Sequence, residues 1–112
     1  MAADRLTSAM LIGALRRRAE AAGGFCMVLA KGDETSGAIL LQTLEQGCDT
    51  GLFERSPDYA GGHHLVPCGP DVGADPQSVT QYLARRRQSD PDLWIIELDI
   101  VQAKRFAAET IC

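Results

Sequence analysis

Three groups of side chains in this sequence have types and spacings that could do chemistry. Glu97 and Asp99 stand two apart in an otherwise apolar run, Leu93 to Ile100. On a strand, residues two apart leave the same face, with Cβ atoms about 7 Å apart. Two carboxylates so placed could exchange protons with a substrate or hold a hard cation. The plainer reading is a sheet face that turns from apolar to acidic as it meets water, with arginines nearby. His63 and His64 form the second group, with Cys68 downstream and Cys48 upstream. Zinc is the metal such a set would take. Adjacent histidines on a strand point to opposite faces, so at most one would join a given site. The spacing matches neither a finger nor a ribbon, so the expectation is a surface histidine pair without metal or cofactor.

The third group is two arginine triplets, Arg16-Arg17-Arg18 and Arg85-Arg86-Arg87. They could meet phosphate, RNA or an acidic partner. Both fall in the last turns of expected helices, where cations complement the negative end of the helix dipole. No aromatics interleave with them to stack on bases, which argues against nucleic acid. Cys26 could be a nucleophile only if exposed, and it lies within an apolar run that argues an inert thiol. No Ser-His-Asp order, Gly-x-Ser-x-Gly, P-loop or dinucleotide fingerprint is present.

The elements that must position these groups begin with Gly24 to Glu45. Two apolar runs flank a polar one bounded by Gly32 and Gly37, the signature of a β-hairpin with a longer loop. The first run is apolar on both faces: Phe25, Met27 and Leu29 on one, Cys26, Val28 and Ala30 on the other. Such a strand is expected inside a sheet rather than at its edge. Residues 7 to 22 read as a helix capped by Thr7 or Ser8 and ended by Gly23-Gly24. A turn at Gly47, Asp49 and Gly51 leads to a short third strand, Leu52 to Arg55. His63 to Val66 reads as a fourth strand at an edge, stopped by Pro67. Asp75 caps a second helix with Pro76 in its first turn, and Asp90-Pro91 ends it. Leu93 to Ile100 is the clearest late strand, with Trp94, Ile96 and Leu98 facing the core. Residues 102 to 111 read as a closing helix with Ala103, Phe106 and Ala107 inward. The order implies α+β: a mostly antiparallel sheet of four or five strands with two or three helices packed on one face.

At 112 residues and a net charge of −4, the chain reads as one domain spanning 1–112 with no general pull toward polyanions or membranes. Met1 to Arg5 has no apolar stretch behind it that would make a secretory signal, and no apolar run approaches the roughly 20 residues of a membrane span. Cysteines without a paired spacing then point to a reduced, cytoplasmic protein with free thiols.

Arg5-Leu6, Arg17-Arg18-Ala19, Lys31-Gly32-Asp33 followed by Gly37-Ala38-Ile39-Leu40, and above all Asp90-Pro91-Asp92-Leu93-Trp94-Ile95-Ile96-Glu97 resemble a family of short alphaproteobacterial proteins, domain of unknown function 1491. The middle segment, Gly61-Gly62-His63-His64-Leu65, departs from the family's Gly-x-x-Trp element. The resemblance implies a small, soluble bacterial protein and supplies no catalytic residues. The function expected from the residues is a non-enzymatic protein-interaction module, with a homodimer or another protein as partner. Its surface is expected around Phe53, Leu65 and Val66 at the weakest strands, with Arg85, Arg86 and Arg87 beside them. The alternative is a small enzyme or ligand-binding protein using Glu97, Asp99 and His63 or His64 in a cleft, and nucleic-acid binding ranks below both.

Overall fold

The computed structural model describes residues 6–112; the Met1–Arg5 segment, with Arg5 of the family pattern, lies outside them. The elements run α1 (Ser8–Ala21), β1 (Phe25–Ala30), β2 (Ile39–Glu45), β3 (Cys48–Pro57), β4 (His63–Pro67), α2 (Pro76–Ser89), β5 (Trp94–Asp99) and α3 (Ala103–Ile111). The fold is α+β, built on one open, five-stranded, mostly antiparallel sheet in the order β1-β5-β2-β3-β4. Among the described strands only β2 and β5 run parallel.

Local chemistry sets the helix ends. The Thr7 hydroxyl accepts the Met10 N–H at 3.1 Å, taking up one of the donors that a helix start leaves unpaired. At the far end Gly23 adopts φ 84°. The Gly24 N–H then donates to Ala19 O and the Gly23 N–H to Glu20 O, a Schellman close that a glycine at this position allows. Asp75 caps α2 through the Gln77 N–H at 3.1 Å.

The structure corrects the expected Gly24–Glu45 hairpin. β1 and β2 do not pair; β5 lies between them, antiparallel to β1 and parallel to β2. The loop between β1 and β2 is held apart by the start of β5. A Cβ on Gly32 or Gly37 would meet Asp92 O at 2.1 or 2.3 Å, so only glycine permits this approach. Asp33 N–H donates to Asp92 O at 3.0 Å, and the Trp94 indole Nε1–H donates to Asp33 O at 2.7 Å. Two of the segments that carry the family resemblance, Lys31–Leu40 and Asp90–Glu97, are therefore two halves of one latch. β5, apolar on both faces as far as Ile96, takes the interior place that the sequence pattern assigned to β1.

It follows that β1 is an edge strand, against expectation. Cys26 and Val28 pack into the core, but Phe25, Met27 and Leu29 are 50%, 43% and 45% exposed. β4 is the other edge, as expected. α1 and α3 cover one sheet face, burying Leu11, Ile12, Leu15, Ala107 and Ile111 against Ile39, Leu41, Trp94, Ile96 and Leu98. α2 packs on the opposite face, where Val79 joins Leu40, Leu52, Leu93 and Ile95. Two helices thus share a face, and the third covers only one end of the other. The apolar positions of α2 explain its modest hold: Val79 is its one buried residue.

Candidate functional site

Glu97 and Asp99 leave the same face of β5, as expected. Their neighbours in the sheet are Met27 and Phe25 on β1 and Gln42 and Leu44 on β2. The Asp99 carboxylate accepts the backbone N–H groups of Gln46 and Gly47, each at 2.8 Å. Gln46 and Gly47 are the two residues between β2 and β3, with φ of 52° and 82°. This is the positive-φ geometry that matches hairpin twist. Asp99 therefore pins a tight turn. His63 and His64 stand on β4, three strands from β5, a separation of about 14 Å at the usual strand spacing. The structure does not bring Glu97 and Asp99 together with either histidine.

His63 instead meets Arg55. The Arg55 guanidinium lies 3.2 Å from His63 Nδ1 and donates from Nε to Ile111 O at 2.5 Å. Burial lowers the pKa of Arg55. These groups line a cleft of about 390 Å³ that also includes Ser8, Thr35, Ser36 and Cys112. Burial raises the Cys112 thiol above its ordinary value, so the cleft offers no thiolate at neutral pH. His64, on the opposite face, lies 3.8 Å from the Asp58 carboxylate. Among the described residues no group of three or more histidines, cysteines or carboxylates could hold a metal ion. All four cysteines are free thiols.

The arginines divide by what they touch. Arg87 Nη1 donates to the carbonyls of Lys31, Pro91 and Leu93, tying the end of α2 to the latch. Arg86 donates to Glu54 Oε1 at 2.9 Å and to the Tyr82 hydroxyl at 2.8 Å. Burial alone would lower the Arg86 pKa, but Tyr82 and Glu54 outweigh it and raise it. Arg85 is exposed. Arg18 lies over the Phe106 ring and bonds to Thr110. The proposed surface around β4 divides in the same way: Phe53 and Leu65 are core residues, 9% and 7% exposed, while Val66 is half-buried.

The surface feature that the sequence reading missed is β1 itself. Phe25, Met27 and Leu29 form an exposed apolar stripe, and no strand among the described residues pairs with its outer side. A signal was available: Phe25–Ala30 holds no charge and no proline, and the same pattern suits a buried strand or an edge awaiting a partner strand.

The family model described as "Protein of unknown function (DUF1491)" matches residues 6–108. The fold is similar to a crystal structure of a DUF1491 family protein from Caulobacter crescentus CB15, with TM-score 0.76 and 27% identity over 91% of this chain and 94% of that one. It is also similar to the solution structure of protein Atu0922 from A. tumefaciens, with TM-score 0.66 and 30% identity over 86% of each chain. An NMR structure of a DUF1491 family protein from C. crescentus gives TM-score 0.69 and 29% identity over 84% of each. No curated protein matches the chain. No helix of the described residues is long and apolar enough to cross a membrane.

Proposed function

We propose that this chain, which belongs to the DUF1491 family of proteins of unknown function, is a single-domain, non-enzymatic, cytoplasmic module that acts by protein contact, self-associating as a homodimer. The observation that carries this reading is the exposed apolar stripe of Phe25, Met27 and Leu29 on an edge strand. Exposed apolar side chains beside unpaired backbone groups are the features that recruit a further strand. The polar groups support the same reading. Asp99, Arg86 and Arg87 each hold intrachain partners that brace turns, helix ends or the latch. Arginines so engaged are poorly disposed to track phosphates, which disfavours nucleic acid as partner.

Sedimentation equilibrium of the purified chain over a wide concentration range tests the reading. Concentration-dependent growth from monomer to dimer mass supports it. A single species of monomer mass at high micromolar concentration contradicts it.

A further inference from the structure

We propose that the outer edge of β1 pairs antiparallel with the same edge of a second copy of this chain, about a two-fold axis through Met27. This inference rests on the self-association reading and names its surface. Four observations lead to it.

The first is the backbone. Among the described residues β1 pairs with β5 alone, antiparallel and on one side. In such a pair alternate residues turn both N–H and C=O away from the partner. A six-residue strand therefore presents a row of unused donors and acceptors.

The second is composition. Natural edges are blunted by lysine, proline, an inward charge or a bulge; Phe25–Ala30 contains none of the first three, and its one irregularity, at Leu29, leaves Phe25–Val28 in regular register with β5.

The third is register. With Met27 on the axis, Phe25 faces Leu29 of the second copy and Cys26 faces its Val28. Exposed apolar residues then meet exposed apolar residues, and core-facing ones stay on the core side. A slip of one residue would set the two faces against each other, so the burial pattern selects this family of registers.

The fourth is charge. Arg16 and Glu20 are exposed and paired at 3.7 Å on α1. Both charges act on the Cys26 thiol, which puts them on the flank of α1 beside β1. A two-fold axis through Met27 brings the second α1 alongside in antiparallel order, Arg16 toward Glu20 of the copy and the reverse. One cation and one anion, a helical turn apart, make that flank self-complementary, as a two-fold interface requires. An unrelated partner would have no reason to match this order.

The test uses two full-length variants, Arg16→Glu and Glu20→Arg, with association read by sedimentation. In each alone, the two-fold contact sets like charges together, and association weakens at least about tenfold. An equimolar mixture restores opposite charges at both contacts, and mixed dimers recover near the original affinity. Effects within one chain are identical in the pure and mixed samples, so recovery reports the contact between chains. Met27→Lys, at an exposed site, provides a second arm and should abolish pairing while leaving the circular dichroism spectrum unchanged. A dimer that all three variants leave intact overturns this interface while sparing self-association. A wild-type chain that stays monomeric overturns both.

Discussion

The sheet ends in two different ways. At β4 the edge is a five-residue strand closed by Pro67, with Leu65 tucked under α3 into the core. Proline offers no N–H to a further strand, and the strand is too short to template much pairing. At β1 the edge is six residues long, has no proline and no charge, and carries three large apolar side chains facing water. β4 carries features that deter a further strand, and β1 lacks proline and charge. Being last in a sheet therefore does not define a binding surface; what the strand shows on its outer side and open face does.

The largest expected effect lies in β5, the strand that keeps β1 and β2 apart. Trp94 is 5% exposed, and its indole N–H holds Asp33 of the latch. Trp94→Ala should cost about 3–5 kcal/mol in denaturant melts, the range for truncating a buried aromatic. A loss under about 1 kcal/mol would mean that the latch and the central place of β5 are misassigned.

Truncation at each edge then separates the two. Leu65→Ala should destabilise by about 2–4 kcal/mol, because it empties a core site. Met27→Ala, measured at a concentration low enough to keep the chain monomeric, should change stability by no more than about 0.5 kcal/mol. Equal losses at the two positions would break the comparison.

A further effect contrasts the two faces of β1. Burial pushes the Cys26 thiol from 9.0 up to about 11, with Arg16 lowering it and Glu20 raising it by lesser amounts. The folded chain thus holds this proton more tightly than the unfolded chain does. The stability tied to it is fully present below pH 9.0 and declines as pH rises toward about 11. In melts across that window Cys26→Ala should remove part of the decline, and an identical decline in the variant would show that this thiol contributes nothing.

Much of this was legible in the residues. Thr7, Gly23-Gly24, Asp75-Pro76 and Asp90-Pro91 marked the helix ends through capping chemistry, and alternation in β5 identified Trp94, Ile96 and Leu98 as core-facing. Pairing partners were not legible. Phe25–Ala30 and Ile39–Glu45 are adjacent in sequence and similarly apolar, and nothing local says that a strand from residue 94 onward will enter between them. That arrangement is tertiary: Gly32 and Gly37 lack side chains where the Asp92 carbonyl must pass. The same ambiguity hid the site. An apolar strand with both faces alike reads as buried, and only the sheet order reveals that one face of β1 is open. The arginine triplets carried no code for their partners either; Arg87 finds three carbonyls because the latch brings them to the end of α2.

If β1, and not β4, is the edge that associates, a charge added to each should act differently. Sedimentation equilibrium of the wild-type chain beside Met27→Lys and Val66→Lys separates the two edges, since each variant adds one charge to one edge. The wild-type chain should form a reversible dimer with a dissociation constant in the micromolar range, as suits a small interface. Met27→Lys should be monomeric at the same concentrations, and Val66→Lys should still dimerise. A dimer broken by Val66→Lys and kept by Met27→Lys would contradict it.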